Sequence, residues 1–388
     1  MNDRRTRVSA SLVLAAIVFI VPTPSAARQR WEDALAAFKQ SEYTKAVDLL
    51  RPLADQGDAR AQILLGELHL AGLGVAQDDV KARDLFRRAA EAGEPQAQAN
   101  LGHMLLEGKG GASDAPRAIE WFRKAAAQNL AMAEYNLGVV YYFGRAVPQD
   151  YQTAFRWFEK AANNGYRDAQ YMLAQAFRLG HGVAASLPSA LYWIRAAAEL
   201  GLEAAQYDLG MQFATGTGIA RNWITAKSWF EKAAKQGHAA AQFQLGHIFR
   251  RGDGVPRNGA VAVEWYERAA DGGYGAAMLS LAIMYDAAEA GIVRDMAKAV
   301  AWYEKAAAKG QVQACRNLAA TFLNGDGVAQ DAARGLVWLV IAVWAGERVS
   351  YPDLASDIVM RDRLFQVLPP EQRIAIEATA RTWVSTHW

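Results

Sequence analysis

Large apolar residues recur along the chain with a long and regular period. They stand 36 or 37 residues apart, at Leu85, Trp121, Trp157, Trp193, Trp229, Trp265, Trp302 and Trp338. A period in this range indicates stacked supersecondary units, each of which buries its apolar face only against its neighbours. The pattern therefore predicts one array of repeats and not several independent domains.

The apolar positions within each unit predict a first helix. A unit opens with Ala, continues with Leu four residues later and commonly places an aromatic residue four further on, as in Ala133, Leu137 and Tyr141. Spacing by four puts these side chains on one face of an α-helix. A glycine often follows the leucine, as Gly138 does. Because glycine weakens a helix, we expect it to admit the close approach of a paired helix.

Turn and capping residues separate this helix from a second one. A G-x-G-V loop, as in residues 180–183, suits a helix stop because glycine accepts positive φ. The position that opens the second helix always holds a preferred N-cap residue. These residues are Asp78, Asp114, Asp150, Ser186, Asn222, Asn258, Asp295 and Asp331. The second helix follows, and its central tryptophan is predicted to fill the space between helix pairs.

These residues resemble the Sel-1-like repeat family, a relative of the tetratricopeptide repeats, in eight units over residues 58–346. The resemblance implies an all-α, right-handed superhelical solenoid of antiparallel helix pairs with a period of about 36 residues, and a role in assembling protein complexes. Residues 28–57 resemble a tetratricopeptide-like helix pair. Residues 347–388 are expected to form capping helices, because the apolar segment Leu336–Ala345 needs cover.

The first residues have the order of a secretory signal peptide. Three arginines precede an apolar run from Ser9 to Val21, and small residues follow at Ser25–Ala27. This order predicts a signal peptide over residues 1–27 and a periplasmic or secreted protein, with no stable membrane span after cleavage. An uncleaved membrane anchor is the alternative interpretation.

Charge, cysteine content and motifs narrow the functional classes. The net charge of +2 gives no indication of nucleic-acid binding, and a single cysteine, Cys315, excludes an intramolecular disulfide framework. No metal-ligand spacing, phosphate-binding loop or catalytic motif stands out, so we expect no catalytic residue, no metal site and no cofactor. His69 stands at an aromatic core position and is predicted to be buried, and Cys315 is predicted to be a structural thiol.

The best candidate site is a surface of the first helices. In the tetratricopeptide arrangement the first helix of each pair lines a concave groove, so residues two before, two after and five after the frame leucine are expected to face it. Aromatic residues and arginine there are types enriched at interface hot spots. The candidates are Tyr135, Tyr171, Tyr207, Phe243, Tyr142, Arg178, Arg250, Arg251, His103 and His247. The alternative is that the aromatic residues pack between repeats as core.

The sequence thus favours a non-enzymatic scaffold, adaptor or regulator in the cell envelope. It is expected to bind an unidentified protein or peptide in the groove. Aromatic rows also suit the faces of sugars. Binding of an envelope glycan, either peptidoglycan or exopolysaccharide, is therefore the alternative function.

Overall fold

The computed structural model describes residues 25–388, and every regular element in that range is a helix. The predicted signal peptide lies outside the described residues, except for Ser25–Ala27, which begin the first helix. The chain divides into two compact units, and the division falls between Trp193 and Ile194. Within residues 25–388, no helix is long and apolar enough to cross a membrane.

The first unit contains consecutive helices of 13 to 15 residues. They are α1 Ser25–Lys39, α2 Tyr43–Asp55, α3 Ala59–Ala71, α4 Asp79–Glu91, α5 Pro95–Glu107, α6 Ala115–Ala127, α7 Ala131–Phe143, α8 Tyr151–Asn163 and α9 Arg167–Leu179, followed by α10 Leu187–Glu199, which contains the division. Neighbouring helices from α1 to α9 pack against each other in chain order. The first helices α3, α5 and α7 therefore each contact the second helix of their own repeat and that of the preceding repeat.

The second unit continues the same succession. Its helices are α11 Glu203–Thr215, α12 Trp223–Lys235, α13 Ala239–Arg251, α14 Gly259–Asp271, α15 Gly275–Asp286, α16 Met296–Ala308, α17 Val312–Asn324, α18 Ala332–Val349, α19 Leu354–Gln366 and α20 Pro370–His387. A short 3-10 helix, Glu289–Gly291, follows α15 in the repeat that has one extra residue. Neighbouring helices from α11 to α18 pack in chain order, and α19 and α20 both pack against α18.

The predicted helix starts and stops are confirmed. The Asp78 carboxylate accepts a hydrogen bond from the Lys81 backbone N–H at 3.0 Å, and the predicted N-cap residues of the other repeats do the same at their third helical residue. The loop glycines have positive φ, for example 72° at Gly180. Asn129 and Ala146 replace glycine in two repeats and adopt φ of 60° and 61°.

In the repeats from Trp121 to Trp302, the residue that fills the core of the second helix differs from the prediction, whereas Trp338 is buried as predicted. The aromatic residue directly after the tryptophan is the fully buried one: Phe158 and Phe230 are 0% exposed, whereas Trp157 and Trp229 are half-buried. One residue advances a helix by about 100°, which turns this position toward the first helix. The tryptophan lies at the edge of the buried stripe, where a cation covers its ring; Lys232 Nζ lies 3.6 Å from the Trp229 ring centroid.

Where a first helix has a glycine after the frame leucine, the glycine makes room for the buried ring. A Cβ atom at Gly138 would lie 2.5 Å from the Phe158 ring, and one at Gly210 would lie 2.7 Å from the Phe230 ring. Such distances are far inside van der Waals contact, so the helices approach this closely only where the side chain is absent. The predicted close approach of the paired helix is confirmed at these positions.

Buried glutamines join consecutive repeats. Gln98 Nε2 donates to the Ala90 carbonyl oxygen at 3.3 Å, and Gln242 Nε2 donates to the Ala234 carbonyl oxygen at 3.2 Å. Each bond satisfies a carbonyl at the C-terminal end of the preceding second helix. Cys315 occupies the same position in the last repeat; it is buried, and burial raises the pKa of its thiol to about 12.

The third repeat is a further departure from the glutamine pattern. Glu134 replaces the glutamine in the third repeat and is fully buried. Lys160 Nζ lies 2.9 Å from the Glu134 carboxylate and donates to the Ala126 carbonyl oxygen at 3.3 Å, so it supplies the hydrogen that a carboxylate lacks. His69, at an aromatic position, is buried as predicted, with 5% exposure.

The last two helices cover the apolar central segment of α18. In α18, residues 338–343 are all buried. The Trp383 ring of α20 lies 5.1 Å from the Trp338 ring, and Trp388 Nε1 donates to the Ala307 carbonyl oxygen at 3.1 Å. Arg316 pairs with Asp353 at 2.7 Å and with Asp357 at 2.9 Å. These contacts hold α19 and α20 against the repeats.

Candidate functional site

The ten candidate residues lie on first helices, and we call the surface that they form within each unit the first-helix face. In the first unit they are His103 on α5, Tyr135 and Tyr142 on α7, and Tyr171 and Arg178 on α9. In the second unit they are Tyr207 on α11 and Phe243, His247, Arg250 and Arg251 on α13. The two groups are described separately below.

In both units, the aromatic residue two positions before the frame leucine packs against the following repeat and stays partly exposed. Tyr135 is half-buried, and its ring lies 5.1 Å from that of Tyr166, the residue before α9. In the second unit, Phe243 lies 5.0 Å from Tyr274 in the same relation. Each ring therefore contacts the start of the following repeat and keeps part of its surface exposed. Burial raises the pKa of Tyr135 to about 12.

Tyr207 repeats this arrangement with a histidine. Its ring stacks on that of His238, the residue before α13, with centroids 4.8 Å apart. His238 also accepts a hydrogen bond through Nδ1 from the Ala241 backbone N–H at 3.2 Å, as an N-cap residue. Burial lowers the pKa of His238 and raises that of Tyr207. The ring of Tyr207 is thus fixed in place by the next repeat.

Tyr142 belongs to a small aromatic cluster in the first unit. Its hydroxyl oxygen lies 2.9 Å from His181 Nδ1, and the His181 ring stacks on Tyr151 with centroids 4.2 Å apart. His181 comes from the glycine loop after α9. The cluster therefore ties the end of α7 to the loop of the following repeat. Burial raises the pKa of Tyr142.

The remaining candidates of the first unit are more open to solvent. His103 and Arg178 are exposed, and Tyr171 is half-buried. Arg178 Nε donates to Gln175 Oε1 on the same helix at 2.8 Å. Neither His103 nor Arg178 is part of the buried core, so both side chains are accessible to a partner.

Positive charge is concentrated at the end of α13. Arg250 Nη1 lies 3.0 Å from Glu289 Oε2, and Arg251 is exposed beside it. Arg250 Nη2 lies 3.5 Å from His247 Nδ1. Burial, reinforced by the two arginines, lowers the pKa of His247 to about 4, so the imidazole is neutral at physiological pH.

Several residues of this surface were not predicted from the sequence. Glu289 and His181 lie in loops, and their partners come from a different repeat, so position within one repeat gives no indication of them. The sequence gives a weak indication that Arg221 and Arg257 belong to a site, because both stand one residue before an N-cap asparagine. Where other repeats hold glutamine at this position, as at Gln149, these two hold arginine.

Comparisons with known proteins agree with this architecture. The Sel1 repeat matches at residues 59–94, 95–130, 131–166, 167–202, 203–238, 239–274, 275–311 and 312–343. No curated protein matches the chain.

Two similar solved structures come from bacteria. The chain is similar to c5321, a protective antigen of uropathogenic Escherichia coli strains with an SLR fold, at 27% identity and a TM-score of 0.61, over 93% of this chain and 92% of that one. It is also similar to a Sel1 repeat protein from Oxalobacter formigenes at 31% identity and a TM-score of 0.58, over 62% of this chain and 99% of that one. With eight matched repeats and an all-α solenoid of helix pairs, the chain belongs to the Sel1 repeat family.

Proposed function

We propose that the chain is a non-enzymatic scaffold of the cell envelope that binds a protein or peptide partner on the first-helix face. Sel1 repeat solenoids are a type of protein-interaction scaffold, generally without catalytic activity. The observation that carries the proposal is that each unit, taken by itself, places half-buried rings on its successive first helices. Rings held by the next repeat lose little conformational freedom on binding, which favours them as anchors.

The charged residues support the same face. Arg178 and Arg251 are exposed at the C-terminal ends of α9 and α13, so they can form charge-assisted hydrogen bonds with a partner. Large aromatic anchors with arginines at the rim are typical of protein interfaces. The proposed partner therefore places apolar side chains against the rings and acceptor groups near the arginines.

Photo-crosslinking in cells tests this proposal. A photoreactive phenylalanine analogue replaces His103, Arg178 or Arg251 on first helices. Matched controls replace exposed residues of second helices, namely Glu120 on α6, Arg156 on α8 and Glu267 on α14. We expect the same partner band from the three first-helix positions and none from the controls.

Equal crosslinking from both sets of positions would contradict the proposal. Retention of the purified protein on peptidoglycan or exopolysaccharide, with no protein crosslinked at any position, would favour a glycan ligand instead. The two outcomes are separated because the glycan assay contains no protein partner.

The envelope setting rests on the predicted signal peptide. We propose that the mature chain begins near Arg28 and acts outside the cytoplasm. N-terminal sequencing of the protein from cell fractions tests this directly. An intact Met1 on a cytoplasmic protein would contradict it.

A further inference from the structure

An open cavity of about 690 Å³ lies beside α13 in the second unit, and its walls are rich in arginine. Arg221, Arg250, Arg251 and Arg257 line it, opposed by the carboxylates of Asp253 and Glu289. Four cations against two anions leave an excess of positive charge. Trp223 adds an aromatic wall. The cavity is thus suited to a ligand that carries negative charge and some apolar surface.

Arg257 has more donors than its structural role requires. Its Nε donates to the Arg250 carbonyl oxygen at 2.9 Å, which satisfies a carbonyl at the end of α13. In other repeats a glutamine makes the same bond: Gln149 Nε2 donates to the Tyr142 carbonyl oxygen at 2.8 Å, and Gln330 Nε2 to that of Leu323 at 2.7 Å. A glutamine would therefore suffice for the fold, and the rest of the Arg257 guanidinium remains for the cavity.

The next repeat offers an instructive contrast at the same position. Arg294 Nε donates to the Asp286 carbonyl oxygen, but its Nη2 lies 2.8 Å from Asp326 and 3.5 Å from the Asp286 carboxylate. Its charge is neutralised within the protein. Among the described residues, no such carboxylate pairs with Arg221, Arg251 or Arg257.

A carboxylate of the chain itself already occupies one side of the cavity. Glu289 reaches Arg250 from the loop after α15, and the side chains of this pair are 33% and 21% exposed. The loop holds Ala288 and Ala290 at φ of 54° and 55°, in the left-handed region that alanine rarely adopts. The backbone on both sides of Glu289 is therefore strained while its carboxylate stays in the cavity.

We propose that this cavity binds the side-chain carboxylates of an acidic peptide segment in the protein partner. The inference rests on the proposed function, because Arg250 and Arg251 belong to the first-helix face. Glu289 shows that the cavity accepts a glutamate carboxylate against an arginine. A second glutamate or aspartate from the partner binds Arg251, Arg257 and Arg221 through bidentate contacts to their guanidinium groups.

Fluorescence anisotropy with a labelled hexaglutamate peptide tests the inference on the purified protein. Hexaglutamine, a polygalacturonate oligomer and pyrophosphate are the comparison ligands. We expect hexaglutamate to bind more tightly than all three, with an affinity that falls as salt is added. Equal binding of polygalacturonate or pyrophosphate would overturn the preference for a peptide, and no binding of hexaglutamate would overturn the inference.

Arg257→Gln is the decisive variant, because glutamine keeps the bond to the Arg250 carbonyl. We expect it to weaken hexaglutamate binding at least threefold with an unchanged melting temperature. Arg294→Gln removes the same charge at the same repeat position and should leave binding unchanged. Equal losses in both variants would show that only net charge matters, and would overturn the assignment of the cavity.

Glu289→Gln tests the role of the internal carboxylate. It frees Arg250 for the ligand, so we expect tighter hexaglutamate binding, and weaker binding would contradict this arrangement. These assays are independent of crosslinking in cells. If only the preference for hexaglutamate is absent, this inference is wrong and the proposed function stands. If first and second helices crosslink equally, the proposed function is wrong.

Discussion

At the scale of single residues, the repeat depends on a glycine facing an aromatic ring. Gly210 lies against Phe230, where a Cβ atom would be 2.7 Å from the ring. The last repeat shows the complementary choice, since Ala319 and Leu339 replace the glycine and the aromatic residue. Glycine and a buried ring occur together in five of the eight repeats, whereas the seventh repeat combines Ala282 with Tyr303.

Gly210→Ala should lower the free energy of unfolding by about 1–3 kcal/mol, because overpacking outweighs the better helix propensity of alanine. Phe230→Leu in the same molecule should recover part of this loss, by making room for the methyl group. Chemical denaturation of the two single variants and the double variant measures the coupling. A Gly210→Ala protein as stable as the parent would show that the contact is not tight.

A buried charge provides a second test at this scale. Lys160→Met leaves the Glu134 carboxylate buried without its cation and removes one of the two hydrogen bonds to the Ala126 carbonyl, the other being from the Asn129 backbone N–H. Lys160 is 44% exposed and solvent weakens the pair, so we expect a loss of about 1–3 kcal/mol in unfolding free energy.

Glu134→Gln restores the amide found in other repeats and serves as the control. The double variant Glu134→Gln with Lys160→Met should be more stable than Lys160→Met alone, as measured by chemical denaturation. If the second change brought no recovery, the lysine would be acting through something other than the buried carboxylate.

His247 predicts a pH dependence. Its pKa is lowered from 6.5 to about 4 in the folded protein, so protonation favours the unfolded state. Its contribution to stability is complete above pH 6.5 and is lost as the pH falls toward 4. His247→Gln should flatten the change of melting temperature across this window. An unchanged slope would mean that other groups govern the acid sensitivity.

At the scale of helices, the sequence predicted the elements well and their contacts less well. N-cap residues such as Asp78 and loop glycines such as Gly180 act through local backbone geometry, so their signals are readable within one repeat. The buried residue after each tryptophan depends on how two helices face each other. The arginine cavity depends on loops from three repeats, a proximity that no single repeat encodes.

The prediction at the scale of helices concerns the C-terminal helices α19 and α20. Deleting residues 350–388 should expose Trp338, Ile341 and their neighbours on α18, which are buried in the intact protein. We expect the truncated chain to aggregate or to lose protection from hydrogen exchange over residues 311–346. A soluble, monomeric truncation with unchanged protection there would refute the proposed capping role of α19 and α20.

At the scale of the whole molecule, the repeats share one pattern of loop and capping residues. The residues that depart from this pattern mark candidate sites. Glutamine gives way to arginine before three N-caps, at Arg221, Arg257 and Arg294, and the loop with one extra residue delivers Glu289. Neither change is needed to stack helices, since other repeats do without them. The family could be predicted from periodicity, whereas the binding chemistry depends on these departures.

The central claim is that the first-helix face binds a partner in addition to packing between repeats. Tyr207→Ala removes a half-exposed ring of that face, whereas Phe230→Leu disturbs its fully buried neighbour, with ring centroids 5.9 Å apart in the parent protein. Both variants should lower the melting temperature, so Phe230→Leu controls for lost stability.

The decisive measurement is partner capture per folded molecule, below the melting temperature of each variant. We predict that Tyr207→Ala loses about 2 kcal/mol of binding free energy, roughly a thirtyfold weaker capture, while Phe230→Leu captures normally. Normal capture by folded Tyr207→Ala would contradict the account and assign this ring to packing alone.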